Sequence, residues 1–220
     1  MSDEAPIERG VVAPALRDEF PDLEVLSCVV PAPTARTTDE GTRERLALLA
    51  ARMRGGRAVE LRREPVPAAY RVFHRHIGID PDSTRTPVEE AAIARLVEGG
   101  HRSRGPLPDA LLLGLLDTGV LVNAVDADAL DGLPGLRPAV AGERLGEGPD
   151  AAPLGAGRLV LADARRVLGA LFGELAPEVA PGRRTTRLRL VAVRIPGVPP
   201  IHVEEALWTC QEALAAGVPE

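Results

Sequence analysis

Arg187-Leu-Arg-Leu-Val-Ala-Val-Arg-Ile195 is the stretch on which the reading of this chain turns. Leu188, Leu190 and Ala192 alternate with Arg187, Arg189 and Val191, a two-residue period that predicts a strand with one buried and one wet face. Downstream, Val203, Ala206, Leu207, Cys210 and Leu214 fall on one stripe of a predicted helix over 202–216. Upstream lie shorter strand candidates at 136–140, 158–161 and 167–172, separated by Gly/Pro loops. Residues 121–122 lead into a turn-rich stretch over 126–132.

The first half has a different texture. Residues 23–30 form a strand candidate apolar on both faces, hence buried in a sheet. Four helical patterns follow, at 43–54, 67–77, 87–98 and 108–117, after one short helical group at 15–20. Their ends carry the expected punctuation. Thr86-Pro87 supplies an N-cap and a first-turn proline, Glu89-Glu90 complements the dipole, and Gly55-Gly56 and Gly99-Gly100 stop their helices. Helices concentrated before the strand-rich half argue for an α+β fold, with residues 1–13 as a loose tail and 14–216 as a single domain.

Composition narrows the function. The chain has 220 residues and five rings: Phe20, Tyr70, Phe73, Phe172 and Trp208. That poverty excludes modules that stack base after base on aromatic platforms. All 26 basic residues are arginine, so Schiff-base and P-loop lysine chemistry is excluded. No apolar run is long enough for a membrane span and no targeting segment is visible, so the chain reads as cytoplasmic and without a membrane partner. Cys28 and Cys210 lie far apart in apolar patterns and read as buried free thiols. The net charge of −6 is uneven: residues 43–104 carry +5 between flanks of −6 and −5. A basic middle third suits an anionic partner and equally suits a solvated helical face.

Most motif-like clusters dissolve under geometry. His74 and His76, two apart on a helix, point away from one another and cannot share a metal, and no cofactor is expected. Gly155-Ala-Gly157 precedes a strand instead of opening a helix, which removes the dinucleotide reading. Asp126, Asp128 and Asp131 lack the distal glutamate of a calcium loop and are explained by turns. Phe172-Gly173-Glu174 places a carboxylate beside a glycine at a strand end, where it can meet a polar group of a ligand.

A family pattern runs through the remaining landmarks. Tyr70-Arg-Val-Phe-His-Arg-His-Ile-Gly-Ile-Asp-Pro81, then Arg85-Thr-Pro-Val-Glu-Glu90 and Arg95, resembles the opening signature of B3/B4-type domains. Leu107-Pro108, Asn123-Ala-Val-Asp126, Arg158-Leu-Val-Leu-Ala-Asp163 and Thr186 follow in the matching order, so the resemblance covers residues 14–215. Such domains occur in the β subunit of bacterial phenylalanyl-tRNA synthetase and in small stand-alone proteins. The resemblance implies a central β-sandwich of unusual topology flanked by helices, and a pocket that hydrolyses tyrosine wrongly esterified to the phenylalanine tRNA. It puts Glu174 where a glutamate after a glycine pair contacts the misacylated side chain. Phe172 replaces one of those glycines, which narrows the pocket.

The expectations that follow are an editing-like domain bound to tRNA or aminoacyl-tRNA, acting as a deacylase and not as an aminoacyl-tRNA ligase. Candidate catalytic residues are Glu174, Asp163 and Thr186, the ligand pocket is Phe172, Gly173, Glu174 and Asp126, and the RNA surface is Arg71, Arg75, Arg85 and Arg95. Two alternatives stand beside it: a non-catalytic binder of a small amino-acid-like ligand, and a protein-interaction scaffold. Arg71 and Arg95 also have nearby acids, Glu89, Glu90 and Glu98, with which to pair internally.

Overall fold

The computed structural model describes residues 5–52, 60–98 and 102–216, apart from the side chains of 95–98. The strand over 187–195 is the axis of the molecule. β1 (Glu8–Arg9), β2 (Glu24–Pro31), β3 (Val122–Asp126) and β9 (Arg187–Arg194) form an antiparallel sheet ordered β1-β2-β9-β3. β9 is therefore internal, paired with β2 from Glu24↔Arg194 to Pro31↔Arg187 and with β3 from Val122↔Ala192 to Asp126↔Leu188. A second antiparallel sheet is ordered β4-β7-β8, from β4 (Gly135–Pro138), β7 (Leu159–Ala162) and β8 (Val167–Ala170). Two short ladder pieces, β5 (Arg144–Leu145) and β6 (Ala152–Pro153), pair beside it. The described fold is mixed, with antiparallel sheets and helices largely segregated in sequence, in agreement with the α+β reading.

Among the described residues six α-helices lie around the sheets: α1 (Pro14–Glu19), α2 (Glu40–Arg52), α3 (Pro65–His76), α4 (Pro87–Glu98), α5 (Pro106–Thr118) and α6 (Pro200–Ala215). The apolar stripe of α6 packs on β2 and β9, and α5 crosses α6 closely enough that a Cβ on Gly114 would sit 2.7 Å from Cys210 Sγ. One hydrophobic core runs through both larger sheets, joining Leu26, Leu190 and Leu207 to Leu136, Leu161 and Leu168. The few rings are clustered. Phe20 meets Phe73 edge-on at 5.3 Å, and Phe73 and Tyr70 both reach Phe172, so four of the five aromatic residues are connected. Cys28 and Cys210 are buried free thiols, each pushed up to about 12 by burial.

Several expectations need correction. Of the residues read as a loose tail, 1–4 lie outside the described residues, whereas Glu8↔Ser27 and Arg9↔Leu26 extend the first sheet and Val12 bridges Leu136 in the second. Glu8 also pairs with Arg189 at 2.7 Å, which explains why that arginine is largely covered on the face predicted to be wet. β3 went unread because its five residues, Val-Asn-Ala-Val-Asp, are buried on both sides and carry no period of two. The glycine stops at 55–56 and 99–100 lie outside the described residues. No described helix is long and apolar enough to cross a membrane.

Candidate functional site

β8 ends in a tight turn in which Gly173 N donates to Ala170 O at 2.9 Å. Phe172, the third residue of that turn, has φ +59° and is the single non-glycine residue with positive φ among those described. Gly or Asn ordinarily takes such a position, because a Cβ there costs about 1–2 kcal/mol. Stacking compensates. The Phe172 ring lies on the His74 ring at 4.7 Å and 9° interplanar angle, with Tyr70 at 5.4 Å. His74 is buried, and its Nδ1 lies 2.7 Å from Tyr70 O. Burial lowers the His74 pKa, outweighing the Tyr70 carbonyl and the Glu89 charge, so the ring is neutral near pH 7. Tyr70 Oη accepts from Leu121 N at 3.2 Å, and burial raises the phenol to about 12. The turn is thus fastened to α3 and to the start of β3.

In front of Phe172 a cavity of about 410 Å³ opens between the first turns of α4 and α5. Arg85, Arg102, Arg104 and Glu90 line its polar side, and Leu112, Leu115, Leu121 and Phe172 its apolar side. Asn123, on β3, also borders it. The arginine-bearing segment 102–104 is anchored by Asp109, a buried carboxylate in the first turn of α5. Asp109 Oδ2 accepts from Thr38 Oγ1 and Ser103 Oγ, both at 2.5 Å, and Oδ1 accepts from Arg104 N at 3.1 Å. On the opposite side, Glu89 Oε2 accepts from Thr86 N at 3.1 Å and Thr86 Oγ1 at 2.8 Å, closing the start of α4. Glu89 Oε1 meanwhile accepts from Arg71 Nη1 at 2.8 Å.

The structure divides the sequence candidates. Phe172, Gly173 and Arg85 line this one cavity. Glu174 is exposed and is not among the lining residues; its carbonyl accepts from Ala170 N as the chain closes the Gly169↔Leu175 bridge. Asp126 is occupied elsewhere, with Oδ1 accepting from Asp128 N and Oδ2 from Thr185 Oγ1 at 2.6 Å. Asp163 holds a loop through Asp131 N, Arg165 N and Arg166 N; burial raises its pKa, but these three donors outweigh burial and leave it lowered. Thr186 is exposed at the head of β9, its carbonyl accepting from Ala32 N.

The arginines of the expected RNA surface divide as well. Arg71 is bound internally to Glu89, Asp82 and Pro81 O, and Arg75 pairs with Asp82 at 3.5 Å. The Arg95 side chain lies outside what is described. Sequence reasoning missed Arg102, Arg104 and Asp109 as site residues. The one signal for them was an acid in the first turn of an otherwise apolar helix, just after an arginine pair flanking a serine. Among the described residues no group of three His, Cys, Asp or Glu side chains could hold a metal.

No protein-family model matches this chain, and no curated protein matches it.

Proposed function

We propose that this chain is a divergent stand-alone B3/B4-type domain that receives the aminoacylated end of a tRNA and hydrolyses its ester. The observation that carries the reading is the cavity itself, which combines guanidinium groups, the Glu90 carboxylate, the Asn123 amide and an apolar wall within about 410 Å³. An aminoacyl ester at a nucleic-acid end has the matching parts: phosphate, α-ammonium, carbonyl and side chain. Two antiparallel sheets sharing one core, with helices outside, also support the family reading.

In this scheme Glu90 takes the α-ammonium, and the Asn123 amide donates to the ester carbonyl as negative charge develops on it. Leu112, Leu115 and Phe172 meet the amino-acid side chain. Water adds to the carbonyl carbon, the bond to the ribose oxygen breaks, and the proton passes to that oxygen. Phe172 occupies the end of the apolar wall, so small side chains fit better than tyrosine.

The test is deacylation of tRNAs charged with alanine, leucine, phenylalanine and tyrosine. The expected result is hydrolysis of the smaller aminoacyl esters, reduced about a hundredfold in Asn123→Ala, the scale for loss of one oxyanion donor. Intact esters at enzyme concentrations above substrate overturn the hydrolase. One observation favours a second reading, binding without catalysis: Glu174, Asp163 and Thr186 stand outside the cavity, and the carboxylate oxygens of Asp109 are already hydrogen-bonded. Calorimetry with free amino acids separates the two, since a binder releases heat with them while leaving every ester whole.

A further inference from the structure

We infer that Arg85, Arg102 and Arg158 form a clamp for one phosphoryl group at the mouth of this cavity. The inference shares its site with the reading above but does not need the hydrolysis. Arg85 and Arg102 line the cavity from the segments that precede α4 and α5. Arg158 enters from the other side: its Nη2 lies 3.3 Å from the place a Cβ would occupy on Gly173, itself a lining residue. Arg85 and Arg102 thus border one opening from two segments, and the Arg158 guanidinium lies beside Gly173, which forms part of its wall.

What marks them is the lack of an acidic partner at a cavity, a lack that they share with exposed arginines such as Arg36 and Arg183. Elsewhere the arginines that reach an acid are engaged, as with Arg71–Glu89, Arg137–Glu143, Arg189–Glu8 and Arg194–Glu24. Among the described residues Arg85, Arg102 and Arg158 have no acidic partner, although Glu90 borders the same cavity. Glu90 likewise has no side-chain hydrogen bond or ion pair there, which leaves it available for a cationic part of the ligand. A planar guanidinium fork matches phosphoryl oxygens in pairs, and two or three such forks suit a doubly charged terminal phosphate better than a single carboxylate.

Part of the backbone at both helix starts is already committed or has no donor. Helix starts often bind anions through free N–H groups, but Pro87, Pro106 and Pro108 have none, Thr86 N donates to Glu89, and Arg104 N donates to Asp109. Both arginine-bearing segments are fixed next to a satisfied buried carboxylate, Arg85 beside the Thr86–Glu89 cap and Arg102 beside the Ser103–Asp109 bond. The stems start from ordered backbone, and the ligand has only the side chains themselves to order.

The test is calorimetric titration of the intact chain at low ionic strength with inorganic phosphate, 5′-AMP and leucine, in the wild type, Arg85→Gln, Arg102→Gln and Gly173→Ala. Phosphate and AMP are expected to bind. Each arginine variant should weaken both about tenfold, and Gly173→Ala should weaken them by displacing Arg158, while far-UV dichroism stays unchanged. Arg187→Gln, whose arginine pairs with Asp128 away from the cavity, should bind as the wild type does. The clamp is overturned if millimolar phosphate and AMP give no heat. It is also overturned if the arginine variants bind as well as wild type, or if leucine alone binds in an arginine-dependent way, which would assign the arginines to a carboxylate. AMP binding by a protein that leaves every aminoacyl ester intact keeps the clamp and removes the hydrolase; hydrolysis without AMP or phosphate binding does the reverse.

Discussion

Arg71 and Arg85 are fourteen positions apart in one basic stretch, and the fold uses them in opposite ways. At the junction of α3 and α4, Arg71 is covered, with a side chain 12% exposed, and lies between Glu89 and Asp82. At the cavity mouth Arg85 is exposed and meets no acid among the described residues. The net charge of a segment therefore says little about the field it presents. The +5 of residues 43–104 is partly spent on holding helices together, and only part of the rest, Arg85 and Arg102 among it, borders the cavity.

Four measurements test that contrast. The largest effect is expected for Glu89→Ala, which leaves Arg71 buried without its inner partner and uncaps α4; chemical denaturation should show a loss of about 3 kcal/mol. A loss below roughly half a kcal/mol would mean that the junction is not held by the pair. Asp109→Ala should cost about 2 kcal/mol, because the Thr38 and Ser103 hydroxyls and Arg104 N lose their acceptor. It should also weaken phosphate binding by loosening segment 102–104, as Glu89→Ala should by loosening the start of α4 beside Arg85.

A pH effect comes next. His74 is neutral in the fold and faces Tyr70 O and the Phe172 ring, with Glu89 and Arg71 contributing opposite charges. Its folded pKa lies below the ordinary 6.5. The unfolded chain therefore takes up a proton first as pH falls, and the stabilisation present above that value is lost below it. His74→Phe should flatten the fall of the thermal midpoint between neutrality and pH 5, and an unchanged slope would assign the fall to other groups. The smallest effect is expected for Arg85→Ala and Arg102→Ala, which should leave stability within about 0.5 kcal/mol of wild type. A large loss in either would show that these arginines also have a structural partner.

How much of this was legible in the sequence depended on the type of signal. The start of helix α4 was readable because Thr86-Pro87 and the early acids are local chemistry, and β9 because its arginines mark one face. β3 was not, since burial on both sides erases its period. Of the cavity's residues, Phe172 and Gly173 were expected in a ligand pocket and Arg85 on an RNA surface, whereas Arg102 and Asp109 join the site through contacts such as Thr38–Asp109, 71 positions apart. Asp126 and Asp163 looked like site acids because sequence shows a carboxylate without the backbone donors that occupy it.

The placement of β9 has a consequence for how the molecule comes to exist. β2, eight residues long and mostly buried, finds its main partner about 160 positions later, and Ala5 N is satisfied by Gln211 Oε1 near the other end of the chain. During synthesis the apolar edge of β2 stays open until residues 187–194 have emerged, a long interval in which a strand edge can pair with the wrong molecule. Closure over such separations is slow. The central strand is thus also the timekeeper of the fold, and a nascent chain stalled before residue 187 would hold α1 to α5 and its smaller sheet but neither α6 nor the main sheet.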